Sequence, residues 1–511
     1  MKLKLIKRIL CLILTFCFIT GAVTPAFAET QEASGKDVTP VILVPGIGSS
    51  ALYLNPNTDE QTSPVSIGGS FIGDVIKSNI IGSTLSACAG MNVNAEKYIE
   101  KLSFIIAPFT ALACDEDGNS ADNIGIDCYW EDPLSNHLEY LDSRNTAEPA
   151  VAKGLCDAIG AENVYIFNYD FRLDVVDYAI QLSDFIDNVK AQKNCEKVTL
   201  VSASLGTCIV SSYIDMYKDK NDIKRTVFLD GAFQGVSMTR LFQKDFYLDT
   251  EVVFNFLNGL AQCYKGSAVD FETITKWINR FDGTAENLID FLKELSNEEN
   301  IDSLYTEVLL PIIGNMPSLW ECIPYDYFDD CVKAMTDIGW LQTDSGLYEK
   351  ITRYHAIQGR LEQNLTELKN NGVEVAIVCG YGFPGMPCTS EYNNTTDMLI
   401  DTRYASAGAV TADYGDTIAQ DVAEKCSDKQ HLSADGMIYS GSCILPDQTW
   451  FCKYVQHMEF VYDTDVNRFV STIATTDSPI NVEAIKELTG YGQFTAVDND
   501  YNLINVKQAT E

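Results

Sequence analysis

The sequence predicts an α/β fold with a mostly parallel sheet, and three observations predict it. Short apolar, β-branched runs recur along the chain, amphipathic helical stretches separate them, and one run leads straight into a turn of small residues followed by an apolar helix. The runs are Thr39 to Val44, Asn163 to Tyr169, Val198 to Ser202, Thr226 to Leu229 and Val373 to Cys379. Each is too continuously apolar for a strand with one wet face, which is the pattern of strands covered by helices on both sides. Between the second and third runs Val175, Ala179, Leu182, Ile186 and Val189 recur at spacings of three and four, giving a helix one apolar face. Ile209, Val210, Tyr213, Ile214 and Tyr217 do the same after the third.

The 511 residues are 46% hydrophobic and 21% charged, which excludes a disordered chain and suggests two or three structural units. The formal net charge is −36 and no basic run offsets it, so nucleic acid is excluded as a partner. The N-terminus carries Lys2, Lys4, Lys7 and Arg8, an apolar stretch from Ile9 to Ile19, and Ala26-Phe27-Ala28, the pattern of a secretory signal peptide cut before Glu29. Its loss takes the charge to −40 and places the protein outside the cell. Of the 16 cysteines, Cys11 and Cys17 go with the leader, and the even remainder in an exported chain predicts several disulfides.

The domain plan that follows is a signal peptide at 1–28 and a first part of the core at 29–237, including a lid loop near 50–160. A cap or lid insertion at 238–350, a second part of the core at 351–478 and a loosely packed extension at 479–511 complete it. The cap is rich in large apolar residues, among them Phe242, Phe246, Phe254, Phe256, Trp277, Phe281, Phe291 and Trp320. Insertions of that length inside a compact fold are usually lids or substrate domains.

The chemistry is concentrated at Val198-Thr-Leu-Val-Ser202-Ala203-Ser204-Leu205-Gly206-Thr207. A sharp strand-to-helix turn with small residues two before and two after a serine pushes that hydroxyl out above the sheet, and here Ser202 stands where a glycine is usual. Ser204 is therefore the candidate nucleophile. The chain has four histidines, and in the order nucleophile, acid, base, His457 is the candidate base; His137 precedes the nucleophile, while His355 and His431 lie in helix-end or polar surroundings. Asp416, in Asp413-Tyr-Gly-Asp416-Thr, is the candidate acid with Asp413 in reserve, because a carboxylate on a tight turn can hold the imidazole tautomer. Glycines after the first strand, in Pro45-Gly46-Ile47-Gly48, let the Ile47 and Leu205 N–H groups serve as an oxyanion hole. A phosphate loop is excluded because neither glycine fingerprint is present. No metal site is expected, since C-x-x-C is absent and histidine is scarce, and the chemistry calls for no cofactor.

With these pieces assembled, the chain resembles the lecithin:cholesterol acyltransferase and lysosomal phospholipase A2 family of α/β-hydrolases. The resemblance rests on Pro40 to Gly46, Leu138 to Asp142, Tyr169-Asp170-Phe171-Arg172, the Ser204 turn, Asp230 to Gly235, Gly380 to Pro384, Gly415-Asp416-Thr417 and His457-Met458-Glu459, which run in family order. Two places depart from it: Ala203 replaces a histidine before the nucleophile, and one glycine is missing around Asp416. The resemblance implies an α/β-hydrolase fold with lid insertions and disulfides pairing Cys388 with Cys426 and Cys88 with Cys114. It also implies a positioning ion pair between Arg172 and Asp170. The expected activity is that of a secreted serine lipase, phospholipase or O-acyltransferase taking lipid esters, at a membrane or micelle surface. A non-catalytic binding protein on the same fold, or a small-ester esterase or peptidase, is the alternative.

Overall fold

The computed structural model describes residues 38–48, 50–64, 78–88, 90–138, 141, 149–245, 247, 255–256, 284–386, 389–425, 429–457, 465–498 and 502–506. The leader, Phe246, Phe254, Trp277, Phe281, Cys388, Cys426, Met458 and Glu459 lie outside these residues.

An eight-stranded sheet forms the centre. In chain order its strands are β1 (Val41–Val44), β2 (Val164–Ile166), β3 (Val198–Ala203), β4 (Ile223–Leu229), β5 (Glu374–Tyr381), β6 (Thr449–Lys453), β7 (Phe494–Val497) and β8 (Leu503–Asn505). They lie side by side as β8-β7-β6-β5-β4-β3-β1-β2, all parallel except the last pairing of β8 on β7. The five strands expected from the sequence are all present. β6, β7 and β8 are additional, and the expectation of a loosely packed extension beyond residue 478 is corrected. Phe494–Val497 and Leu503–Asn505 widen the sheet, with Val482–Thr489 a helix ahead of them.

Two-residue alternation divides each strand between two buried faces. Ile42, Leu200, Phe228 and Ile377 pack on one side against helices α2 (Val175–Lys193), α3 (Gly206–Tyr217), α4 (Gly346–Gln358) and α5 (Leu361–Asn370). Val41, Leu43, Val201, Val227 and Val378 pack on the other against α1 (Pro149–Ile159) and α6 (Asp465–Thr475). The apolar stripe read in α2 is fully buried in the first of these layers. At about 1.5–3 kcal/mol for each buried aliphatic side chain, the two faces together make the core. The result is a three-layer α/β/α arrangement.

The insertions build cores of their own. Tyr98, Ile99 and Phe109 from the first insertion join Phe291, Val308, Ile312 and Met316 from the second in one cluster. Phe242, Tyr305, Leu310, Trp320 and Phe328 make another within the second. Arg172 fastens the first insertion to the core: it pairs with Asp170 at 2.6 Å and donates to the Leu112 and Ile124 carbonyls and to Ser120 Oγ. Both members of this pair are buried, and their place is structural. Among the described residues no helix is long and apolar enough to cross a membrane.

Candidate active site

Parallel strands end at one edge, and the loops that follow them meet there. Val44 of β1 is level with Ser202 of β3, so Pro45-Gly46-Ile47 and the Ser204 turn leave the sheet side by side. Gly206 shows how closely they approach, because a Cβ at that position would sit 2.2 Å from the Val44 carbonyl oxygen and 2.6 Å from that of Pro45. Any other residue would force the two loops apart. Tyr169 Oη donates to the Pro45 carbonyl at 2.6 Å and fixes the loop from the far side.

Ser204 has φ +50°, the left-handed region that a non-glycine residue adopts at a cost of about 1–3 kcal/mol. Backbone hydrogen bonds hold it there: its N–H donates to Leu229 at 3.0 Å, and its carbonyl accepts from Ala232 at 3.2 Å and Thr207 at 3.1 Å. The turn is followed at once by α3, with Leu205 as the cap residue, so the Leu205 N–H lies at a helix N-terminus where partial positive charge collects. Ser202, fully buried with its Oγ toward the Val227 carbonyl, fills the place of the missing glycine.

His457 follows β6 by four residues. Its Nε2 is 3.0 Å from Ser204 Oγ and its Nδ1 is 2.7 Å from Asp397 Oδ2. Asp397 lies on the loop after β5 and is completely buried. Its Oδ1 accepts from the Leu399 N–H at 2.9 Å and the Ile400 N–H at 2.6 Å, and its own carbonyl accepts from the His457 N–H at 2.7 Å. Two loops are thus tied by both backbone and side chain. A Cβ on Gly380 would lie 2.3 Å from the Val455 carbonyl oxygen and 2.9 Å from Asp397 Cβ, so glycine at the end of β5 is what lets the acid loop close on the histidine loop.

Ser204 and His457, expected from the sequence, are brought together. Asp416 is not part of this group, and the acid assignment is corrected to Asp397. Gly415, at φ +83°, closes Asp413 to Asp416 into a turn on itself, and both aspartates are exposed. Asp397 is drawn inward because Met398 and Ile400 beside it are buried. The signal in the sequence was an aspartate leading an apolar Met-Leu-Ile run in the loop that follows the fifth strand. The remaining histidines are placed elsewhere: His137 stacks on Trp130, His355 is sandwiched by Tyr325 and Phe328, and His431 faces Ser440 and Gln493.

Asp230, Asp397 and His457 each bring a ligating atom within 4.8 Å of the others. Both imidazole nitrogens are already engaged, one by Ser204 and one by Asp397, so the histidine has no lone pair to give a metal without dismantling the serine contact. Cys114 is a free, buried thiol whose Sγ faces the Arg172 carbonyl, so the implied pairing with Cys88 is not formed. Burial pushes that thiol up to about 12, against a smaller opposing pull from Arg172. Ten cysteines among the described residues are free.

No protein-family model matches the chain, and no curated protein does. Among solved structures it is similar to one described as the Tle4-Tli4 complex, with 10% identity over 67% of this chain and 74% of that one and a TM-score of 0.29. It is also similar to Kex1(Δ)p, a prohormone-processing carboxypeptidase from Saccharomyces cerevisiae, with 11% identity over 65% and 70% of the two chains and a TM-score of 0.20. Both scores are low, and the reading of the site rests on its geometry.

Proposed function

We propose that the chain is a serine hydrolase or O-acyltransferase of the α/β-hydrolase kind, related to the lecithin:cholesterol acyltransferase and lysosomal phospholipase A2 family, exported and acting on ester-linked lipids. The observation that carries it is the unbroken relay from Ser204 Oγ through His457 to Asp397, at 3.0 and 2.7 Å, on a serine held at φ +50°. Such a relay makes an alcohol nucleophilic at neutral pH: His457 Nε2 accepts the hydroxyl proton as Ser204 attacks the ester carbonyl, and returns it to the departing alcohol. Asp397, fixed by two N–H donors, accepts from Nδ1 and keeps it protonated so that Nε2 is free to act as base. The tetrahedral oxyanion is assigned to the Ile47 and Leu205 N–H groups, each worth about 3–4 kcal/mol in such sites. Water or a second alcohol then releases the acyl group.

The lipid assignment is supported by the resemblance in sequence and by the two insertions, which share one apolar cluster beyond the central core. Opening such a body exposes apolar surface suited to a lipid interface. Hydrolysis of p-nitrophenyl acetate, decanoate and palmitate, with each ester presented below and above its aggregation threshold, tests it. The expected result is a rise in rate with chain length and with aggregation, absent in Ser204→Ala. A preference for acetate with no interfacial rise leaves a small-ester esterase, and a wild type inert to every ester leaves a binding protein.

A further inference from the structure

One carboxyl group beside the relay has no task in it. Asp230 directly follows β4, is buried to 1% exposure and sits in the left-handed region at φ +40°. Its position is over-determined: its N–H donates to the Val378 carbonyl at 2.9 Å, and its Oδ1 accepts the Gly380 N–H at 2.6 Å. Its other oxygen, Oδ2, is buried with no hydrogen-bond partner, while Asp397 and His457 lie within 4.8 Å. A carboxylate oxygen in that position is an acceptor facing another acceptor. Protonation turns it into a donor and removes the conflict.

We propose that Asp230 is a positioning residue that carries a proton on Oδ2 and donates it in a hydrogen bond to the carboxylate of Asp397, holding that group in line with His457. The inference rests on the serine-hydrolase reading for its consequence in catalysis, and on the geometry alone for the protonation. Two neighbouring carboxyls in a dry site cannot both ionise, and the charge goes to the better solvated one. Asp397 has two backbone N–H donors and the imidazole; Asp230 has one N–H. Burial, and after it the Asp397 charge, holds the Asp230 carboxyl well above the usual carboxylate range, while the His457 side pulls weakly the other way. The other titratable groups facing it are the thiols of Cys379 and Cys452, both pushed up by burial and so neutral. The proton does not move in the reaction: the Asp230 side chain makes no hydrogen bond to Ser204, and acts through Asp397.

The test compares Asp230→Ala with Asp230→Asn. A carboxamide reproduces the neutral acid, its oxygen accepting from Gly380 and its NH2 donating to Asp397. Asp230→Ala is expected to lower kcat by about 10- to 100-fold with little change in KM, as a loosened catalytic group does. Asp230→Asn is expected to recover most of that loss. If Asn is as damaging as Ala while both fold, the group acts as a second negative charge and the proposal is wrong. Infrared difference spectroscopy of the full chain at neutral pH gives a readout that needs no activity. Glu321 is a second buried carboxyl held above its ordinary range, so the signal is read as a difference: wild type minus Asp230→Asn should show the C=O stretch of one protonated carboxylic acid. Its absence from that difference overturns the proposal. Its presence in a protein inert to esters keeps the protonation and rejects the enzyme reading instead.

Discussion

Two aspartate loops lie within twenty residues of each other between β5 and β6, and they differ in every respect that matters to a histidine. Asp397 is buried, accepts two backbone N–H groups and meets His457 at 2.7 Å. Asp416 sits on a glycine turn in water. The glycine makes the second loop conspicuous as a turn, but a turn in water gives a carboxylate no fixed geometry. The buried apolar neighbours Met398 and Ile400 carry Asp397 out of water, where two backbone N–H groups and the imidazole fix its oxygens. For a catalytic acid, what surrounds the aspartate is more informative than the turn that holds it.

Exchanging the charge on each loop separates them most strongly. Asp397→Asn is expected to lower kcat by about 10⁴-fold, because an amide stabilises the wrong imidazole tautomer. Asp416→Asn should stay within about twofold of wild type, as exposed substitutions do. An inversion of that order in steady-state kinetics would return the acid to the turn.

The glycines sharpen the same contrast. Gly380→Ala puts a Cβ against Val455 and Asp397, an overpacking expected to cost about 1–3 kcal/mol in urea unfolding and to reduce kcat through displacement of the acid loop. Gly415→Ala meets nothing within 4 Å and is expected to cost about 1–2 kcal/mol from its φ of +83° alone, with kcat held. Equal kinetic damage from both would mean that the two loops are coupled.

The smallest expected effect is a slope. Because the Asp230 carboxyl is held above its ordinary range in the fold, the folded chain keeps a proton that the unfolded chain releases, and stability is fully present below the unfolded carboxyl's range. It falls as pH rises toward the folded value, by up to about 1.4 kcal/mol per pH unit for one proton. Asp230→Asn removes that contribution, so its unfolding free energy should decline less with pH than the wild type's. Parallel pH profiles would show Asp230 ionised in the fold.

The same physics decides what was legible in the sequence. Val41–Val44, Val198–Ala203 and the α2 stripe are buried on both faces or along one, and composition follows burial closely enough to read. The Ser204 turn was legible because the crowding of Gly206 against Val44 and Pro45 permits only a small residue there, and that demand is written in the residues of the turn itself. β7 and β8 were not, since they are short, Thr495 places a polar residue in the buried layer, and at the sheet edge Ile504 and Asn505 are exposed, so the pair lacks a continuous apolar signature. Asp397 was missed because its partners, His457 and the end of β5, come from distant parts of the chain. Asp230 was visible only as part of a short motif.

The central claim is that Ser204 is the activated nucleophile of the Asp397-His457 pair. Incubating the full-length protein with a fluorophosphonate and mapping the adduct by peptide mass spectrometry tests it directly. The account predicts one stoichiometric phosphonyl adduct on Ser204, formed far more slowly in Asp397→Asn and at the wild-type rate in Asp416→Asn. An unlabelled wild type, an adduct on another serine, or labelling indifferent to Asp397 would contradict it.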